Sequence, residues 1–214
     1  MDFGQMLTDS FEYTKEALWG KWEKWILLII SAIIFPLFLG YTMEVMRGKK
    51  PAPALENWGK LFVDGLKLFI VELIYAIPVI ILAVLLGGAL FLSLASGNTQ
   101  AILAGLGTFL VGMIIIVIVA VLIGLVASIG YIRFSRTDSM GEAFNFNEIL
   151  SRIGKIGWGS YFIALLIMVI VIVVVEMIIA LIPLVGWLIN LILLPAYGIF
   201  ATRYITQIYD SVPG

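Results

Sequence analysis

The chain alternates long apolar runs with short polar segments, and the runs have membrane length. Residues 25–43 and 73–132 contain no charged side chain, and residues 156–202 contain only Glu176. A helix needs ~20 apolar residues to cross a bilayer core. On that measure the pattern predicts five crossings, at about residues 25–45, 68–94, 102–132, 158–182 and 184–204. Pro36, Pro78 and Pro195 fall inside three of these runs. Membrane helices tolerate proline when neighbouring groups satisfy the freed carbonyls, so the three read as kinks. Pro183 separates the last two runs, and Ser96-Gly97-Asn98-Thr99 forms the turn between the second and third.

The polar segments carry a helical pattern of their own. Trp58, Leu61, Phe62, Leu66 and Phe69 fall on one face, with Lys60, Asp64 and Lys67 opposite. Phe146, Ile149, Leu150 and Ile153 likewise oppose Glu148, Ser151, Arg152 and Lys155. Both predict short amphipathic helices lying in the interface plane, and residues 9–24 are a third, less regular candidate. Ser139 followed by Glu142 has capping-box spacing ahead of the second. Trp19, Trp22, Trp25, Trp58 and Trp158 cluster at the mouths of apolar runs, as interface anchors do. The units also repeat. Gly40-Tyr41 and Gly130-Tyr131 each close a span, and each is followed by an arginine (Arg47, Arg136), an amphipathic helix and a new span. A looser echo links Val71-Glu72 through Pro78 to Val175-Glu176 through Pro183. The expectation is an all-α polytopic bundle of about five transmembrane helices with two or three interfacial helices, one transmembrane domain over residues 1–214. Its polar segment, residues 1–24, lacks a signal-peptide pattern and should be retained.

Composition agrees and excludes several functions. Hydrophobic residues make up 62% and charged ones 13%, against ~25% charged in soluble domains, and the mean hydropathy is +1.12. A net charge of −1 gives no basic excess for nucleic acid. Cysteine and histidine are both absent, which removes disulfides, thiolate or imidazole metal sites, and Cys/His nucleophile pairs. No cofactor or metal is expected, and the chain is not expected to be an enzyme. Lysine and arginine set the topology. The linkers, residues 46–67 and 133–157, and the C-terminus with Arg203 hold most of them, against Lys15, Lys21 and Lys24 at the N-terminus. Five crossings then place linkers and C-terminus in the cytoplasm and the N-terminus outside. A re-entrant segment at Pro36 would bring the N-terminus inside as well.

Gly40-Tyr41 with Arg47-Gly48, the stretch from Trp58 to Lys67, Gly130-Tyr131 through Phe144, and Pro195-Ala-Tyr-Gly198 to Tyr209 carry a resemblance. Over nearly its whole length the chain resembles an archaeal family of multi-pass membrane proteins, domain of unknown function 4013. It is more distantly similar to the membrane domain of glycerophosphodiester phosphodiesterases, without their catalytic domain. The resemblance implies an archaeal source and an integral membrane fold, and it carries over no catalytic residue.

Candidate sites are few. Glu176, deep in the fourth run, is an ionisable group in a costly place: a pathway, proton relay or buried pair, against a snorkelling or structural carboxyl. Asn190 is a possible hydrogen-bond partner for it, and Glu72 sits at the start of the second run. Ala120, Gly124 and Ser128 form a stripe of small residues suited to close helix packing. Lys49, Lys50, Lys60 and Lys67, with Arg133, Arg136, Arg152 and Lys155, are candidate contacts for anionic lipids, against a purely topological role. Three functions follow. First comes a non-enzymatic lipid-interacting or accessory component of a membrane complex. Its partners are membrane lipids, with other membrane subunits or a second copy as further candidates. Second is a small transporter or channel using Glu176 and Asn190 near the midplane. A lipid-modifying enzyme ranks last, since its acid–base pair would have to be carboxylates such as Glu72 and Glu176.

Overall fold

A computed structural model describes residues 2–213 as helices joined by short connections, with no strand among the described residues. The helices are α1 (Phe3–Leu18), α2 (Trp22–Ile33), α3 (Phe35–Met46), α4 (Trp58–Ala95), α5 (Thr99–Thr137), α6 (Phe146–Ile156), α7 (Trp158–Ala180) and α8 (Gly186–Asp210). Four of them, α4, α5, α7 and α8, are long and apolar enough to cross a membrane. The fifth expected span is divided: α2 and α3 meet at Ile34 with a bend of 120°, as a broken span or a re-entrant loop. Pro36 is therefore no kink within a helix. It occupies the first turn of α3, where a missing N–H leaves no intrahelical bond unmade.

The chain divides into two compact units, residues 1–70 with 128–214 and residues 71–127. In the first, α1, α2, α3 and α7 pack on α8, and α6 packs on α7 and α8. Its core includes Tyr13, Ala17, Leu18, Leu28, Tyr41, Val45 and Ile199. Here α3 crosses the first turns of α4 backbone against backbone. A Cβ on Gly65 would lie 1.7 Å from the Pro36 carbonyl oxygen, and one on Gly40 would lie 1.9 Å from that of Leu61. Only glycine permits this approach.

The expected interfacial helix at residues 58–69 is not separate. It forms the first turns of α4, which runs unbroken from Trp58 to Ala95. Nothing at the junction imposes a break, whereas the second amphipathic helix, α6, is cut from α7 by Gly157 with a positive φ of 91°. Both segments bury the same helical spacing: Leu61, Asp64, Gly65 and Leu68 in α4, and Ile149, Arg152, Ile153 and Ile156 in α6. The expected cap at Ser139 is also displaced. A 3-10 turn, Met140–Phe144, follows that serine without a side-chain cap bond. Asn145 instead accepts from the Glu148 N–H at 3.5 Å to start α6.

The second unit is an antiparallel helical hairpin. The Asn98 carboxamide oxygen caps its turn, accepting from the backbone N–H groups of Gln100 and Ala101 at 2.9 and 3.1 Å. Gly112 and Gly105 let the two helices approach, since a Cβ at either would meet Leu86 or Ser93 at 2.4 Å. Its remaining surface is a continuous array of exposed apolar side chains, among them Ile81, Leu85, Leu92, Leu110, Ile114 and Ile118.

The N-terminal helix shares one end of the first unit with the α3–α4 linker and the C-terminal turns of α8. Tyr13 donates to the Lys49 carbonyl at 3.0 Å, and Lys50 pairs with Asp9 at 3.1 Å. Arg203 pairs with Asp9 at 2.7 Å, and the Gln207 amide donates to the Met6 carbonyl and the Ser10 hydroxyl. The N-terminal helix thus contacts a linker that the five-crossing placement set on the other side, an arrangement that fits the re-entrant alternative. These contacts join residues far apart in sequence, and a count of lysines does not register them.

Candidate functional site

Six ionisable side chains of the first unit converge into one network, centred on Arg47. Helix α3 ends by presenting Glu44 and Arg47, and the first turns of α4 present the buried Asp64 with the exposed Lys60 beside it. The Arg47 guanidinium pairs with Glu44, with Asp64 at 3.0 Å and with Asp138 beyond the end of α5. Lys60 bridges Glu44 at 3.0 Å and Asp64 at 2.9 Å, and Lys49 also pairs with Glu44. Burial opposes the charge on Arg47, but hydrogen bonds to Asp138 and Asp64 outweigh it and raise its pKa.

The two repeated arginines also clasp each other's helices. Arg47 Nε donates to the Ser135 carbonyl in the last turn of α5 at 3.0 Å, and Arg136 Nε donates to the Met46 carbonyl at the end of α3 at 2.6 Å. Each C-terminus, with its unsatisfied carbonyls and partial negative charge, receives a cation from the other. Arg136 continues to Asp210 at 2.9 Å. Arg133 pairs with Glu142, whose carboxyl is held below its ordinary pKa by hydrogen bonds from Arg133 and Asn145. Arg152 is buried, donating to the Tyr209 and Pro213 carbonyls and stacking 4.1 Å from the Tyr209 ring. Burial raises the Asp9 pKa, but hydrogen bonds from Arg203 and Lys50 prevail and hold it below the ordinary value.

Of the candidate lipid contacts, Lys49, Lys50, Lys60, Arg133, Arg136 and Arg152 bond within the protein, the three lysines while still exposed, and Lys67 and Lys155 are exposed. Sequence reading missed the carboxylates Asp9, Glu44, Asp64, Asp138 and Asp210. Arg47 was visible only through its place in the repeat. Lys49, Lys60, Glu44 and Glu56 line an open cavity of about 410 Å³ beside the residue 51–57 loop.

Within the spans, Glu176 lies exposed on α7. Asn190 does not bond it directly: Tyr197, one helical face along α8, donates to the Asn190 carboxamide oxygen at 3.0 Å. Glu72 is half-buried on α4 in the hairpin unit. Among the described residues no group of His, Cys, Asp or Glu is arranged to hold a metal ion. Trp19 and Trp22 are 70% and 65% exposed, Trp58 and Trp158 are exposed, and Trp25 is anchored by its indole N–H to the Ile192 carbonyl at 3.0 Å.

A family model described as a protein of unknown function, DUF4013, matches residues 25–184. No curated protein and no solved structure matches the chain.

Proposed function

The chain belongs to the DUF4013 family of proteins of unknown function, and from that premise we propose a non-enzymatic membrane component that organises lipids or serves as an accessory subunit of a membrane complex. The destination of the charges carries this reading. Glu44, Arg47, Lys49, Lys60, Asp64 and Asp138 neutralise one another at one end of the first unit. The spans meanwhile turn apolar side chains outward. Such an arrangement supports a fixed interfacial platform, with charge used to hold helices together. Lys67 and Lys155 remain available to anionic headgroups, each contributing about 1 kcal/mol near the surface. In this reading the platform, α1 and the C-terminus face the cytoplasm of an archaeal cell. Distant kinship with the membrane domain of glycerophosphodiester phosphodiesterases belongs to the same proposal.

The Tyr197–Asn190 hydrogen bond, with Glu176 as the one charge in the fourth apolar run, favours a second reading, a small transporter or channel. Reconstitution separates the two. Liposomes containing the purified chain are expected to show the same ion and solute flux as empty ones, with Glu176→Gln indistinguishable from wild type. A flux that Glu176→Gln abolishes would establish the transport reading instead.

A further inference from the structure

We propose that the groove between α1, α2 and α8 seats one hydrocarbon chain of an anionic membrane lipid, with the lipid phosphate held at its rim by Lys15. The inference rests on the lipid-organising reading above and assigns that lipid a place. The groove has a volume of about 450 Å³, within the ~300–1,000 Å³ of small-molecule sites. Phe11, Leu18, Trp19, Trp25 and Ala196 supply apolar walls. The polar atoms in those walls are already committed elsewhere. The Thr14 hydroxyl donates to the Ser10 carbonyl at 2.8 Å, and the Trp25 indole N–H donates to the Ile192 carbonyl. What these side chains turn toward the groove is therefore methyl and ring surface.

The walls are also held in place. Trp25 stacks on Trp22 with centroids 5.5 Å apart and planes 1° from parallel. Asp9, Ser10 and Tyr13 pin the opposite face of α1 to α8 and the linker. Helix α1 therefore cannot roll to close the groove. Among the lining residues Lys15 is the one charge, exposed beside the exposed Trp19. Apolar walls with a single cation at the rim are complementary to a molecule that joins a hydrocarbon chain to a phosphate.

The test uses the full chain in detergent, exchanged into equal amounts of phosphatidylglycerol and phosphatidylcholine, delipidated, and examined by native mass spectrometry. One tightly retained phosphatidylglycerol is expected, preferred about fivefold over phosphatidylcholine, as one surface lysine provides. Lys15→Gln should abolish that preference, and Ala196→Phe, which fills the groove, should abolish retention of this lipid. Lys15 is exposed, so its variant is decisive even if the second fails to fold. If phosphatidylglycerol is retained but is insensitive to Lys15→Gln, the groove assignment falls and the lipid-organising reading stands. If the wild type retains no lipid in preference, both fall. A change of oligomeric mass in Ala196→Phe with lipid retention intact would make the groove a protein contact and overturn the proposal.

Discussion

Arg47 shows how a membrane protein spends a charge. Its side chain is only 14% exposed and faces carboxylates whose side chains are themselves mostly buried, Glu44 and Asp64. Removing one member of such a group strands the others, which costs about 3–5 kcal/mol, where an exposed pair would contribute below about 1 kcal/mol. The Asp9 clamp is the part of this chemistry whose response to pH can be read at α1. Its folded pKa lies below the ordinary 3.8 because Arg203 and Lys50 stabilise the carboxylate. A depressed carboxyl pKa contributes stability that is fully present above the unfolded value and is lost as pH falls through the folded one. A spin label on α1 should therefore be immobile at neutral pH and gain mobility only below about pH 4. Asp9→Asn should be mobile at every pH. An unchanged spectrum down to pH 2 would show that α1 is held by its apolar face alone.

At the scale of elements, the glycine crossing of α3 and α4 sets the geometry on which the Arg47 network depends. Gly65→Ala places a methyl group 1.7 Å from the Pro36 carbonyl oxygen. Since backbone has to move to admit it, the loss should reach or exceed the ~1–3 kcal/mol of ordinary overpacking. Gly59→Ala, with nothing within 4 Å of its new methyl, should instead gain about 0.5–1 kcal/mol as a helical glycine replaced. Unfolding in a denaturant titration compares the two, and equal stabilities would refute the close crossing. Elements of this kind divide sharply in how readable they are. The extents of α5, α7 and α8 follow from unbroken apolar runs, and α6 follows from its amphipathic spacing. Phe69 and Leu68 gave no sign that an interfacial segment and a span would fuse into α4, because fusion requires only that nothing intervene. Pro36 looked the same whether it bent one helix or opened another.

For the whole molecule, topology is the property that short-range pattern could least provide. Lys15, Lys21 and Lys24 count equally on either side of a membrane. The bonds from Asp9 to Lys50 and from Tyr13 to Lys49 bring α1 to the linker, and those from Asp9 to Arg203 and from Gln207 to Met6 and Ser10 bring it to the end of α8. The intramembrane polar residues were half legible: Glu176 and Asn190 stand out in apolar surroundings, while Tyr197 does not, being an ordinary residue in such a helix. The native chain contains no cysteine, so accessibility can be mapped one site at a time. Thr8→Cys, Thr137→Cys and Ser211→Cys should react with an impermeant maleimide from one side of sealed vesicles, and Ser96→Cys from the other. Reaction of Thr8→Cys from the side of Ser96→Cys would restore a fifth crossing through α2 and α3.

The hairpin turn carries a consequence for how the protein enters its membrane. Residues 73–132 hold no charged side chain, so the tip formed by Ser96, Gly97 and Asn98 must be delivered through the hydrocarbon without moving a single charge. A lysine, arginine or aspartate there would have to be desolvated on the way. The Asn98 carboxamide, already bonded to the N–H groups of Gln100 and Ala101, offsets part of the remaining polarity before water is regained. The two helices are thus suited to insert together, as one prefolded pair, without awaiting the rest of the chain.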